Sequence, residues 1–219
     1  MVKKDADHKD EHLNNASDLR QNRFFTKNQH NYINILSQKQ LPTMGKIFLL
    51  DVFLSEGNIV EPHYHINASE LIYCITGETI VSMINPKTNE LKNTRIKPQQ
   101  AVSIPQGWWH YFQAQKDHTH VLTIYDTEQL DTVWGSDVLR LTPPQIFAHA
   151  YCLDQYQVQQ TLGSIKDRVI IGPPKNCHQN REDHMNQYST QYPYYQPHYY
   201  PNYQYYPMQM RPNYGNLHR

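Results

Sequence analysis

His63, His65, Glu70 and His110 are the residues of this chain whose types and spacing could hold a metal ion. Two histidines at i and i+2 on a strand point to the same face, so both imidazoles can meet one ion. Ile66-Asn67-Ala68-Ser69 reads as a short loop that resets the alternation. Glu70 then opens the next strand with its carboxylate aimed at the same point. Further along, the Pro and Gly of Pro105-Gln106-Gly107-Trp108-Trp109-His110 form a tight turn that delivers His110 from a different strand. Three neutral imidazoles and one carboxylate suit a divalent first-row metal of borderline hardness. Four protein ligands leave one or two positions of an octahedral ion open for water, substrate or dioxygen. Mn(2+) first, and Fe(2+) second, meet that need better than a closed tetrahedral zinc.

The elements that must position these ligands are short strands. From Lys46 onward come KIFLLDVFL, HYHI, ELIYCITG, TIVSMI, TRIKP, AVSIPQG, HYFQA and HVLTIYD, rich in Ile, Val, Leu, Phe and Tyr. Ser55–Gly57, Thr76–Gly77, Asn85–Pro86 and Gln106–Gly107 punctuate them, and NPKTNE reads as a hairpin loop. Many short strands at close spacing predict an all-β antiparallel sandwich or barrel, not a parallel sheet with crossover helices. After Tyr125 the strand texture fades. Thr142 and Pro143 are placed to start a helix, PQIFAHAYCL, and Asp154 and Gly163 to bound a second, DQYQVQQTL.

The run Gly57-NIVEP-His63-Tyr64-His65-INAS-Glu70-LIYCIT-Gly77, with Pro105, Gly107 and His110 downstream, resembles the two motifs of germin-type cupins, closest in texture to the oxalate decarboxylase branch. Gln99 and Ala114 stand where the second motif has Gly and Asn, and neither position is a ligand. VLRLTPPQIFAHAY resembles the helical segment that follows the barrel in that branch. The resemblance covers roughly residues 46 to 172. It implies a double-stranded β-helix (jelly-roll barrel), the metal ligands His63, His65, Glu70 and His110, a small-molecule ligand, here a carboxylate, and a homo-oligomer. It also implies a manganese-dependent decarboxylase or oxidase. Oxalate decarboxylases carry an Arg that clamps oxalate three residues before the first metal histidine. Val60 occupies that position here, and a bidentate contact to a dianion is lost with it. Their lid glutamate has a weak counterpart in Glu128, within the shorter segment EQLDTVWGSD.

Composition frames the rest. Lys plus Arg and Asp plus Glu are 20 each, which gives no overall field for nucleic acid or an anionic membrane. No apolar run approaches the ~20 residues of a membrane span. MVKKDADHKDEHLNNASDLRQNR lacks an apolar signal core, so cytoplasmic synthesis without a signal peptide is expected. Cys74, Cys152 and Cys177 show neither zinc nor disulfide spacing and read as reduced thiols, Cys74 inside the barrel. His118 and His120 read as surface residues, and one of Trp108 and Trp109 as packing the barrel mouth. Three zones follow: a polar, flexible arm over 1–44, which Phe24, Phe25, Tyr32, Ile33 and Ile35 could dock in part; a cupin domain with exit helices over 45–172; and a Tyr/Pro/Gln-rich tail over 173–219. Ten tyrosines and five prolines fall between Tyr188 and Tyr214. Such a tail resembles those of bacterial spore-coat and surface-layer proteins. Two alternatives therefore stand beside the enzyme: an assembly protein with a cupin head and anchoring tail, in contact with coat or surface-layer proteins, and a metal-dependent binding module without catalysis.

Overall fold

A computed structural model describes residues 15–175 and 177. After a 3-10 turn at Leu19–Gln21 the chain forms β1 (Arg23–Asn28), β2 (Asn31–Leu36), β3 (Phe48–Leu54), β4 (Ile59–His65), β5 (Glu70–Thr76), β6 (Thr79–Asn85), β7 (Glu90–Ile96), β8 (Ala101–Ile104), β9 (His110–Ala114), β10 (Thr119–Tyr125) and β11 (Thr132–Trp134). Three helices, α1 (Gly135–Leu141), α2 (Pro144–Tyr151) and α3 (Gln155–Leu162), precede β12 (Ile171–Gly172). One sheet runs β1-β2-β3-β10-β5-β8. The other runs β11-β4-β9-β6-β7, with β12 also on β4. All pairings are antiparallel. The fold is the expected all-β cupin jelly roll with short C-terminal helices.

Alternation builds the core. In β3, Leu50, Val52 and Leu54 point into the core, and in β10 so do Thr119, Val121, Thr123 and Tyr125. On the opposite face Asp51 is covered by Asn34 and His120, and the other alternate residues are half-buried. Phe112, Ile72 and Ile104 join them between the sheets. Gly77 closes the turn from β5 to β6 at φ +74°. A Cβ there would sit 2.4 Å from Thr119 Oγ1 and 2.5 Å from Thr119 Cα, so both the conformation and the space require glycine.

The first zone differs from expectation within the described residues. Residues 15–44 are not a free arm: β1 and β2 form a hairpin that adds to β3, with Ile33 opposite Val52. Ile33 is buried in the core, and Phe25 and Ile35 pack against it. Several of the polar residues that obscured this hairpin are buried and hydrogen-bonded. Asn31, for example, accepts from Ser55 N and donates to Ser55 Oγ.

The segment after Tyr125 is also more ordered than its texture suggests. Thr132, Val133 and Trp134 pair with His65, Tyr64 and His63, fixing this segment against the strand that carries two of the histidines. The two expected helices appear as α2 and α3. Pro143 rather than Thr142 is the N-cap of α2, and the Asp154 carboxylate caps α3 by accepting from Gln157 N. The Tyr-rich tail from residue 178 and the first 14 residues lie outside the described residues.

Candidate metal centre

A bulge in β4 decides which of its side chains face the lumen. Against β9, Val60 pairs with Phe112 and His63 with His110, so β4 carries one extra residue between them. The extra residue falls at Glu61–Pro62, where proline has no N–H to give the ladder. The shift restores parity: Val60 before the bulge and His63 and His65 after it all line the same interior. His110 opens β9 directly across from His63. Glu70 opens β5, opposite Tyr125 of β10 and Ile104 of β8. The Pro105–Gly107 turn is tied to the histidine strand, because Gly107 N donates to His65 O at 2.9 Å.

The four sequence-derived residues come together. Their ligand atoms lie within 4.8 Å of one another, and all four residues are buried. Glu70 Oε2 is 2.7 Å from His110 Nε2 and 3.4 Å from His65 Nε2. Neither nitrogen is aligned to hydrogen-bond it, and all three atoms lack a hydrogen-bond partner. The other ring nitrogens are engaged. His63 Nδ1 donates to Glu61 O at 2.7 Å and His110 Nδ1 to Trp108 O at 2.8 Å. A carbonyl only accepts, so the proton sits on Nδ1 and each Nε2 presents a lone pair. His65 Nδ1 meets Thr132 Oγ1 at 3.0 Å. Glu70 Oε1 accepts from Tyr125 OH at 2.9 Å, and Thr123 Oγ1 donates to that phenol oxygen at 3.0 Å. Lone pairs buried and unpaired at one point are costly, and a divalent cation satisfies them together. The donor set fits such an ion.

Electrostatics agree with the geometry. Burial, reinforced by His110 and His65, holds His63 well below the ordinary imidazole range, so it stays neutral as a ligand must. Burial alone would raise the Glu70 carboxyl. The electrostatic pull of the adjacent His110 and His65 outweighs it and holds Glu70 well below its usual value. Tyr125 is pushed well above the ordinary phenol range by burial and by Glu70, so it remains a donor.

Beside the cluster lies a cavity of about 320 Å³. His63 and His65 form one wall. Val60, Leu50, Val52, Phe112, Leu130 and Trp134 supply most of the rest, and Phe24 and Arg168 stand at its edge. Arg168 is engaged elsewhere, with Nε 2.7 Å from Asp137 Oδ2. Val60, where an oxalate-clamping Arg would sit, is buried and apolar. Glu128 lies in the bend between β10 and β11 and is not among the cavity-lining residues, whereas Asp131 is. Cys74 is fully buried and its thiol is pushed up to about 11 by burial and by Glu78, in keeping with a packing role. His120 departs from its surface reading: its Nε2 contacts Asp51 Oδ1 and its ring stacks on Phe53 at 4.0 Å. Trp108 packs against the core, but Trp134 is the tryptophan that reaches the cavity, its ring 4.9 Å from that of His63.

Sequence reasoning missed Glu61, Tyr125, Thr132, Trp134 and Arg168. For Tyr125 a signal existed: Thr119, Val121, Thr123 and Tyr125 share one parity of an alternating strand. Glu61 gave none, since a charged residue beside Pro62 reads as exposed. In the structure its carboxylate is buried and accepts from Ser136 N (2.7 Å), Ser136 Oγ (2.9 Å) and Ile170 N (2.7 Å).

Two antiparallel sheets enclosing three histidines and a glutamate on facing strands define a β-barrel with a cation-competent lumen. The family model described as Cupin matches residues 17–159, and the chain belongs to the cupin family. Its similar proteins include Legumin type B of Vicia faba, 28% identical over 59% of this chain and 40% of that protein. Legumin B of Pisum sativum is 31% identical over 56% of this chain and 36% of its own length. Among solved structures, the coconut allergen cocosin matches with TM-score 0.64 at 22% identity, covering 73% of this chain and 43% of that one. Oxalate decarboxylase from Bacillus subtilis matches with TM-score 0.63 at 19% identity, covering 74% and 42%. The chain thus spans less than half the length of these relatives, and the structural likenesses establish the fold.

Proposed function

We propose that this protein is a metal-dependent cupin that holds one Mn(2+), or alternatively Fe(2+), through His63, His65, Glu70 and His110 and takes a small carboxylate as its ligand. The observation that carries this reading is the set of converging buried atoms: His65 Nε2, His110 Nε2 and Glu70 Oε2 have no partner, while the far side of each residue is held by a hydrogen bond. Nitrogen and oxygen donors with room for further ligands favour manganese or iron over a structural zinc. A similar solved structure, at 20% identity, is described by its Mn(II) centres in Bacillus subtilis oxalate decarboxylase, which supports the same choice.

A bound divalent ion would supply a Lewis-acid centre for a carboxylate oxygen. The chain's own residues set the rest. Tyr125 fixes the Glu70 carboxylate, Glu61 and Trp108 carbonyls fix the tautomers of His63 and His110, and the apolar wall excludes water from the bound ligand. The test is elemental analysis of the purified protein, together with turnover of a panel of small carboxylates on the same sample. One Mn or Fe per chain and consumption of a carboxylate support an enzyme. Metal with saturable binding but no turnover supports a binding module.

Association of copies is a companion proposal. Leu141, Ile146, Tyr151, Leu153 and Tyr156 of the exit helices and the α2–α3 turn are all more than half exposed, an apolar strip suited to a second copy. Light scattering of the purified chain reads this out as mass.

A further inference from the structure

The lumen is built for only one negative group. Apart from His63 and His65, Asp131 and Arg168 are the charged residues that line it, and Arg168 is already paired with Asp137. The remaining wall is mostly apolar, Leu50, Val52, Val60, Phe112 and Leu130 from β3, β4, β9 and the β10–β11 segment. The Thr123 and Tyr125 hydroxyls donate to Tyr125 and Glu70, and Thr132 and Trp134 add only neutral groups, so among the described residues no unpaired cation faces a second carboxylate. A dianion bound there would have one charge desolvated with no cationic partner, which is strongly unfavourable. An apolar group placed there gains its transfer free energy instead. At ~30 Å³ per water-sized group the cavity has room for on the order of ten non-hydrogen atoms, well beyond the size of oxalate.

We propose that the ligand of this site is a monocarboxylate with an apolar body: its carboxylate sits at the His63, His65, Glu70 and His110 cluster and its hydrocarbon lies against Val60, Val52, Phe112 and Leu130. This rests on the metal reading above and names its ligand class. The bulge at Glu61–Pro62 is what makes it possible, because it turns Val60 into the same lumen as the histidines.

The experiment is a chain-length ladder on the Mn(2+)-loaded full chain. Acetate, butanoate, hexanoate and octanoate are titrated by calorimetry and by thermal shift, with oxalate and succinate alongside. Affinity should rise by about fourfold per methylene until the cavity is full, as burial of each CH₂ implies, and both diacids should bind at least tenfold more weakly than hexanoate. Val60→Arg should lower hexanoate affinity and raise that of oxalate. Should a buried arginine impair folding, Leu130→Gln, at a half-buried wall position, should flatten the ladder without changing metal content. A flat ladder, or oxalate binding as tightly as hexanoate to metal-loaded protein, overturns the ligand class and leaves the metal reading standing. Absence of bound ion after loading and desalting overturns both.

Discussion

Tyr125 reaches across the β5–β10 ladder and donates its hydroxyl to Glu70 Oε1 at 2.9 Å, leaving Oε2 as the oxygen that faces the histidines. The pair makes Glu70 a fixed ligand rather than a mobile one. Replacing Tyr125 with Phe removes that fixation and leaves a buried carboxylate oxygen unpaired. Metal affinity should fall by roughly 10–100-fold, the usual consequence of losing a group that orients a ligand. Competition titration against a chelator measures it, with circular dichroism to confirm a folded barrel. Unchanged affinity would mean that Tyr125 is only packing.

Acid should destabilise the ion-free protein through the same cluster. His63 has its folded value held well below the usual 6.5, first by burial and then by His110 and His65. The unfolded chain therefore binds the extra proton. The stabilisation from neutral His63 is present above the unfolded value and is lost as pH falls below it toward the folded one. Glu70 is also held below its usual 4.5, so its contribution disappears only under more acidic conditions. Melting temperature of chelator-treated protein should decline from about pH 7 to about pH 5, and less so in His63→Gln. A level profile in the parent protein would contradict the assignment.

Gly77 and Gly107 separate two costs that are often merged. Both have positive φ, +74° and +79°. A Cβ at Gly107 meets nothing within 4 Å, whereas at Gly77 it overlaps the Thr119 backbone. Gly107→Ala should cost about 1–2 kcal/mol, the conformational penalty alone. Gly77→Ala should cost at least ~3 kcal/mol, because the β5–β6 turn must also separate from β10. Urea denaturation of the two variants checks the order.

Much of this was legible in the sequence because the ligands sit at strand ends, two closing β4 and two opening β5 and β9. His63 and His65 share parity, and Glu70 and His110 each open a strand after a turn marked by its residues, so the spacing alone brings all four to one point. The hairpin of β1 and β2 was not legible. Asn28, Asn31 and Asn34 serve as turn and cross-strand partners there, and the same composition describes a solvated arm. The bulge at Glu61–Pro62 was also hidden. Strict alternation would put Val60 and His63 on opposite faces, and only the pairing with Phe112 and His110 shows that they share the lumen. Trp134 and Arg168 reach the cavity through tertiary pairing of β11 and the segment before β12, which no local pattern encodes.

Glu61 joins β4 to the chain beyond the barrel. Its carboxylate accepts from Ser136 N, Ser136 Oγ and Ile170 N, and its own N–H donates to Ile170 O. Ile170 sits at φ +59°, a region costly for a β-branched residue, and these two bonds hold it there. In Glu61→Gln the amide NH₂ must face either the Ser136 or the Ile170 N–H. The cost should be about 2–4 kcal/mol, with faster hydrogen exchange at Ile170 and Ile171. A stability change under ~0.5 kcal/mol, typical of surface substitutions, would show that the junction does not depend on this carboxylate.

The central claim is the metal site itself, and elemental analysis of the parent chain beside the His63→Ala/His65→Ala variant tests it most directly. Both are loaded with Mn(2+), desalted and checked for folded secondary structure. The account predicts one divalent ion per chain in the parent and essentially none in the variant. Equal metal content in the two, or none in the parent, would contradict it.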